Sequence, residues 1–294
     1  MASPSPPESV RLGGMAALLL AIGGLSLGST MVKSAHLPGP VMGWWRLLIG
    51  AIIWQAIVRF RRTPLTRAQW KATFIPGVLF GINLLCFFTG VTKTRVANAE
   101  FLGTLTPLFI VPIAAVRLKE RVPRAVIALG VVALGGVALI VLLSGKGGRH
   151  SVTGDLFIVG AMITWSSYLL VSRNVRMGMD VPAFMTGMTT FAALTILPFA
   201  FGTHRLGQMT GHALVLVVLS GVTSGVLAHG LLSHAQRSLP LSTIVLVQLV
   251  QPALGATWAW VFLGESIRPV QMLGMAVVLC AVGSIARISS GGRP

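Results

Sequence analysis

Ten runs of about 20 mostly apolar residues take up nearly the whole chain, and they constrain its fold more than any other feature. One such run, folded as an α-helix, crosses roughly 30 Å of hydrocarbon. The predicted spans are residues 13–32, 39–59, 72–92, 96–116, 122–143, 154–173, 181–201, 211–231, 239–262 and 267–287. Little chain remains for a water-soluble domain. The sequence therefore predicts an all-α integral membrane protein with ten transmembrane helices.

Charge supports this prediction and excludes two other classes of protein. Only 10% of the 294 residues are charged, too few to solvate a globular surface of this size, so a soluble enzyme is excluded. The net charge of +17 does not indicate a nucleic-acid partner, because most basic residues lie between the apolar runs. Cys86 and Cys280 lie inside such runs without metal-ligand spacing, so neither a metal site nor a disulfide framework is predicted.

The basic residues also predict an orientation in the bilayer. Fifteen of the 23 lysines and arginines fall on the side of the amino terminus, seven fall on the other side, and Arg46 lies within a span. Loops rich in lysine and arginine stay in the cytoplasm. We therefore expect both termini to be cytoplasmic, with a disordered tail over residues 1–12 and a second tail over residues 288–294.

An internal repeat relates the two halves of the chain. Pro107 and Glu120 recur as Pro252 and Glu265, 145 residues later, and LGGMAALLLAIGGLSLGSTMVK aligns with TGDLFIVGAMITWSSYLLVSRN at an offset of 141. Each half, 13–146 and 153–287, then holds five spans. Because five is odd, the second repeat is inverted in the membrane, as in many secondary transporters.

Several segments resemble a known family. The stretches ANAEFLGTLTPLFIVPIAAVRLKERV, from Ala97, and LSTIVLVQLVQPALGATWAWVFLGESI, from Leu241, are similar to the two EamA-type repeats of the drug/metabolite transporter superfamily. WWRLLIGAII and GDLFIVGAMITWSSYLLVSR extend the resemblance over nearly the whole chain after residue 11. The resemblance implies a bacterial inner-membrane carrier whose central cavity is lined by the first, third, fourth, sixth, eighth and ninth helices.

Two ionisable residues within spans are the first candidates for function, because such groups normally face the protein interior. Glu100 and Arg46 lie at similar depths in their helices. Glu100 could exchange a proton or meet a cationic substrate in the cavity. Arg46 could instead form a structural ion pair with Glu100 or extend toward outer headgroups.

A second group of candidates consists of polar and aromatic residues on the helices that the resemblance assigns to the cavity. Asn83, Gln248 and His229 can donate and accept hydrogen bonds, and Trp165 and Tyr168 offer ring surfaces with one polar atom each. We predict all five, together with Glu100, as substrate-binding residues. Hydrogen bonding between helices and packing of the rings in the core are the alternatives.

The four repeated residues are predicted to be structural or gating. Glu120 and Glu265 end the fourth and ninth spans, where they could cap tight turns or close a gate. Pro107 and Pro252 remove backbone hydrogen bonds and are expected to kink their helices. Arg46 joins this group in its structural role.

The leading hypothesis for function is a secondary transporter that exports amino acids or related metabolites by alternating access. No nucleotide-binding loop, cofactor motif or catalytic constellation is evident in the sequence, so the gradient of the solute, or of protons through Glu100, would drive transport. Efflux of drugs or cationic compounds is the alternative, and an intramembrane enzyme or scaffold is less favoured. Assembly into a homodimer through glycine-rich helices stays open.

Overall fold

The computed structural model describes residues 8–93, 99, 102–142, 151–263 and 267–290. These residues fold almost entirely into helices. In chain order the α-helices are α1 (Glu8–Ser26), α2 (Gly28–Ser34), α3 (Gly39–Phe60), α4 (Arg67–Lys93), α5 (Thr106–Arg117), α6 (Arg124–Leu142), α7 (Val152–Met177), α8 (Val181–Gly202), α9 (Gly211–Ser220), α10 (His229–Ala235), α11 (Leu241–Val247), α12 (Gln251–Leu263) and α13 (Pro269–Ser290).

Eight helical stretches within the described residues are long and apolar enough to cross a bilayer. They are Ser9–Ser34, Gly39–Phe60, Arg67–Lys93, Val152–Met177, Val181–Gly202, Gly211–Ala235, Leu241–Phe262 and Pro269–Ser289. Each coincides with a predicted span. The predicted fourth and fifth spans correspond to the shorter apolar helices Thr106–Arg117 and Arg124–Leu139, and much of the predicted start of the fourth lies outside the described residues.

Several helices extend beyond the predicted spans. Helix α1 begins at Glu8, inside the segment expected to be a disordered tail. Helix α7 continues to Met177, four residues past the predicted end of that span. Apolar content marks only the part of a helix that faces lipid or core, so polar turns at either end escape it.

The helices of the first half pack mainly against helices of the second half. Helix α4 packs on α7 and α8, α3 on α8, α6 on α13, α1 on α10, and α5 on α11. Buried apolar side chains form two clusters, one centred on α3, α4, α7 and α8 and the other on α1, α6, α11 and α13. A cavity between the two halves of the chain borders both clusters.

Two glycines one turn apart bring α4 close to α8. A Cβ atom on Gly77 would lie 2.5 Å from the Cβ of Phe191, and one on Gly81 would lie 2.8 Å from the carbonyl oxygen of Ala192. A Cβ atom on Gly136 would likewise lie 2.9 Å from the carbonyl oxygen of Gly274 on α13. Small residues that let helix backbones approach so closely are typical of membrane helix contacts.

Two of the long helical stretches change their winding beside the cavity. A π-helical segment, Gly221–Ala228, links α9 to α10, and a 3-10 turn, Gln248–Val250, links α11 to α12. Pro252 is the second residue of α12 and Pro107 lies in the first turn of α5. A proline fits a first turn because its missing N–H would have no helical partner there. The fourth span is thus interrupted just before Pro107, and the ninth span just before Pro252.

Candidate functional site

A cavity of about 160 Å³ lies between the two halves of the chain. It contains four of the predicted substrate-binding residues together with Arg46 and Pro107. Its lining consists of Leu25, Ser26, Gly28, Ser29, Arg46, Asn83, Leu84, Phe87, Phe88, Ala99, Gly103, Thr104, Thr106, Pro107, Ile158, Ala161, Met162, Trp165, His229, Val245, Gln248, Leu249 and Gln251. The volume suits several water molecules or one small organic solute.

Arg46 is the basic group of this lining with a permanent charge. Only 4% of its surface is exposed, and its guanidinium carbon lies 5.4 Å from the centre of the Phe88 ring. Gly225 of the π-helical segment lies against the arginine stem, since a Cβ there would be at ordinary contact distance, 3.6 Å, from Cγ of Arg46. No carboxylate among the described residues lines the cavity. Glu100, its predicted neighbour, lies outside the described residues.

Asn83 and Gln248 contribute amide groups from opposite halves of the chain. Nδ2 of Asn83 donates a hydrogen bond of 2.7 Å to the carbonyl of Ala161 on α7. This bond ties α4 to α7 and leaves the second amide hydrogen and Oδ1 for another partner. Gln248 begins the 3-10 turn, and within the described part of the chain its amide has no protein partner. Sequence reasoning predicts both residues as ligands or interhelical links, and in the structure Asn83 serves as a link.

His229 begins α10 directly after the π-helical segment and faces an aromatic wall. Its Nδ1 contacts the carbonyl oxygen of Ser224. Because a carbonyl only accepts hydrogen bonds, Nδ1 carries the hydrogen, and the other ring nitrogen, Nε2, is left for the cavity. The rings of Phe80 and Trp165 lie 4.9 Å and 6.3 Å from the histidine ring, centre to centre.

Tyr168 lies behind this wall and does not line the cavity. Its ring stacks on Trp165 with 5.2 Å between centres, and only 2% of the residue is exposed. On its other side is Arg176, whose guanidinium carbon lies 5.1 Å from the centre of the tyrosine ring and which also donates to Oγ of Ser172. The structure therefore places Tyr168 as a support for Trp165.

Arg176 is a residue that sequence reasoning misses. In the sequence it counts among the cytoplasmic loop residues, because the predicted span ends at residue 173. In the structure it is 2% exposed on the last turn of α7. The spacing of Tyr168, Ser172 and Arg176, each one turn after the other, places all three on one helix face and could have revealed the cluster.

Glu120 joins three elements at one end of the helix bundle. Its carboxylate accepts hydrogen bonds from the backbone N–H groups of Leu241 and Ser242, at 2.8 Å and 3.0 Å, and from the hydroxyl of Ser242 at 2.8 Å. Arg173 of α7 lies 3.2 Å from the same carboxylate. A carboxylate at the first turn of a helix is stabilised by the unpaired N–H groups there. Its repeat partner, Glu265, lies outside the described residues.

The lining also holds small hydroxyl residues that sequence reasoning does not select. Ser26 ends α1 and accepts a hydrogen bond of 2.8 Å from the indole nitrogen of Trp258. Ser29 of α2 and Thr104 lie nearby in the lining. Serine and threonine are frequent in apolar helices, where they bond to their own backbone, so residue type alone does not single them out. Pro252 lies one residue beyond Gln251, the last residue of the lining.

Comparisons with known proteins extend over almost the whole chain. The sequence profile of the EamA-like transporter family matches residues 12–142 and 152–287. The pseudopaline exporter CntI of Pseudomonas aeruginosa strain UCBPP-PA14 is 22% identical over 270 residues, covering 90% of this chain and 93% of its own. The threonine/homoserine exporter RhtA of Escherichia coli K12 is 26% identical over 273 residues, covering 90% of this chain and 88% of its own.

A solved crystal structure has the same fold. It matches with a TM-score of 0.74 at 20% sequence identity, over 98% of this chain and 99% of the other. At that identity the likeness concerns the arrangement of helices and not the chemistry of the cavity.

Proposed function

Because the chain belongs to the EamA-like transporter family, we propose that this multi-pass membrane protein is a secondary transporter that exports small organic solutes such as amino acids or related metabolites. The observation that supports this most directly is the cavity between the two halves, where apolar walls surround a few polar groups. Pockets for small molecules commonly have this composition. The names of the relatives CntI and RhtA support export as the direction.

We propose further that residues 13–146 and 153–287 form two inverted repeats of five spans each. The packing supports a two-fold relation between them. Three contacts join equivalent spans of the two repeats: spans two and seven, four and nine, and five and ten. The other two contacts form a pair, because exchanging the repeats turns the contact of spans three and six into the contact of spans one and eight. Exchanging the two halves leaves this set of contacts unchanged, as an inverted repeat requires.

In this proposal, transport proceeds by alternating access, with the two repeats rocking about the cavity. The contacts of Glu120 with Arg173, Leu241 and Ser242 would hold the bundle closed at one end. We assign that end to the cytoplasm, where the count of basic residues places both termini. Opening it separates Glu120 from its partners, and the repeat predicts that Glu265 acts at the opposite face.

The proposed energy source rests on the sequence alone. We retain Glu100 as the proton-coupling residue, since a carboxylate within a span is costly unless it has a function. We place the protein in the bacterial inner membrane with both termini in the cytoplasm. A homodimer would use helix faces other than those of Gly130 and Gly136, whose nearest neighbours are Leu246 and α13 within the same chain.

The cavity favours amino-acid-sized solutes over drugs and cationic compounds. Its volume of about 160 Å³ is below the roughly 300–1,000 Å³ of typical pockets for drug-sized ligands. Arg46 also repels a cation, and no carboxylate from the described part of the chain lines the cavity to offset it.

Counterflow in proteoliposomes tests the proposal. Purified protein is reconstituted in vesicles loaded with one unlabelled solute, and uptake of the labelled solute is followed for amino acids, polyamines and dyes, with and without a pH gradient. We expect exchange of one or more amino acids. If the pH gradient drives accumulation, the variant Glu100→Gln should exchange normally but lose that response. Failure of every solute to exchange would contradict a transport function.

A further inference from the structure

We propose that Arg46 is the docking point for a carboxylate, so that the cavity selects solutes carrying a carboxylate group and rejects their amide and alcohol analogues. This inference rests on the proposed transport function and adds to it the group that is recognised. It concerns one residue of α3, the second span, whose guanidinium faces a cavity formed largely by other helices.

Arg46 is buried by the surrounding helices, and the groups in contact with it include the ring of Phe88 and the residue Gly225, neither of which is an anion. Burying a guanidinium costs free energy, and an anion that pairs with its planar N–H groups offsets that cost most strongly. The carboxylates whose side chains are described are those of Glu120, Asp155 and Asp180, and none of them lines the cavity. A solute carboxylate would pair with the guanidinium in bidentate geometry, which no carboxylate among the described residues does.

The rest of the lining fits the remainder of such a solute. Asn83 and Gln248 present amide oxygens that can accept hydrogen bonds from an ammonium group, and Nε2 of His229 can do the same when the imidazole is neutral. Phe87 and Trp165 give apolar and aromatic surface for a short side chain. The cavity therefore combines one cationic site with several neutral acceptors, which is the complement of a small zwitterion.

The first test compares ligands and needs no mutant. In proteoliposomes that exchange a labelled amino acid, unlabelled threonine, threoninamide and threoninol are offered as competitors, and the series is repeated with homoserine and alanine. Charge-assisted bidentate bonds favour the acid strongly, so we expect the amide and alcohol to compete at least about tenfold more weakly than the acid. Equal competition by acid and amide overturns the inference. This is the result expected if Glu100 neutralises Arg46.

The second test assigns the preference to Arg46. Arg46→Gln should remove the discrimination between acid and amide, whereas Arg46→Lys should keep part of it, because an ammonium retains the charge but not the planar fork. Arg59→Gln is the matched control, since Arg59 is exposed on the last turn of the same helix. Unchanged discrimination in Arg46→Gln, with the protein monodisperse in detergent, would overturn the inference.

The outcomes separate the inference from the proposed function. Exchange of solutes regardless of the carboxylate overturns the inference and leaves a transporter. Absence of exchange for every solute contradicts transport and the inference with it. Should Arg46→Gln fail to fold, the competition series on the unaltered protein still decides whether a carboxylate is required.

Discussion

Among single residues, His229 has two ring nitrogens, Nδ1 and Nε2, with separate roles. Nδ1 contacts the carbonyl oxygen of Ser224 within the π-helical segment, and the ring lines the cavity. The contact of Nδ1 stabilises the folded protein, since leaving a buried carbonyl without a partner costs about 1–3 kcal/mol of folding free energy. The second role concerns solute binding. Amide side chains of two lengths can separate these roles.

We expect His229→Asn and His229→Gln to have different effects. The amide nitrogen of asparagine takes the place of Nδ1 and can still donate to Ser224, so this variant should keep its thermal stability but lose most counterflow. The amide of glutamine reaches the place of Nε2, so this variant should unfold at a lower temperature and keep more exchange. Melting curves in detergent and initial rates of counterflow measure the two effects. Equal losses in both variants would show that the two atoms do not act separately.

Which residues the sequence can identify depends on the kind of signal that each one gives. Asn83, His229, Gln248 and Arg46 stand out because polar groups are rare in apolar spans, and all four line the cavity. Tyr168 is also a polar residue in an apolar span, but it stacks on Trp165 and does not line the cavity. The sequence cannot distinguish the two cases, because a side chain's distance from a cavity depends on packing between helices. Phe80 contacts the rings of Trp165 and His229, yet nothing distinguishes it in the sequence from the other phenylalanines of the chain.

At the scale of helices, the closeness of α4 and α8 depends on the absence of a side chain at Gly81. A Cβ there would lie 2.8 Å from the carbonyl oxygen of Ala192, a backbone atom that cannot turn aside. We expect Gly81→Ala to destabilise the protein by about 1–3 kcal/mol, the usual effect of overpacking. Gly135→Ala is the control, because no neighbouring atom would lie within 4 Å of its Cβ. A thermal shift of the same size in both variants would refute the packing argument.

The interrupted span of α11 and α12 gives a second prediction at this scale. Gln248 lies in the cavity on a 3-10 turn, and Pro252 follows in the first turn of α12. Proline opposes a continuous helix because it lacks an N–H and clashes with the preceding turn. We expect Pro252→Ala to let the span straighten, which would slow exchange without lowering the melting temperature.

The control for Pro252→Ala is Pro198→Ala. Pro198 also lies within a helix, α8, but it is exposed and does not line the cavity. Counterflow rates and melting curves of both variants decide the matter. Slower exchange in the control as well would mean that any helix proline affects transport, and the interruption beside the cavity would have no special role.

At the scale of the whole molecule, the sequence predicts more than it does at the scale of residues. The EamA resemblance is confirmed by the match over residues 12–142 and 152–287, and eight predicted spans recur as long apolar helices. Span prediction succeeds because the bilayer imposes one length and one polarity on every crossing helix. Helix ends and interruptions escape prediction, because the start of α1 at Glu8 and the turn at Gln248–Val250 depend on local capping and packing.

The relation between the two halves determines on which side of the membrane two of the turns lie. If each repeat has five spans, the turn after the fourth span and the turn after the ninth must lie on opposite faces of the membrane. Arg121 is exposed in the first of these turns, and Ser266 is the residue 145 positions later. We expect a cysteine at Arg121 to react with a membrane-impermeant maleimide only in inside-out vesicles, and one at Ser266 only in right-side-out vesicles.

The labelling requires a background in which Cys86 and Cys280 are replaced by serine, since the chain contains these two cysteines. That background without added cysteines should give no signal, and counterflow by each variant confirms that the fold is retained. Reaction of both positions from the same side would require an even number of spans between them and exclude an inverted repeat. Glu265 would then not lie across the membrane from Glu120 and could not close the opposite face. Alternating access by rocking of two equivalent bundles would be contradicted.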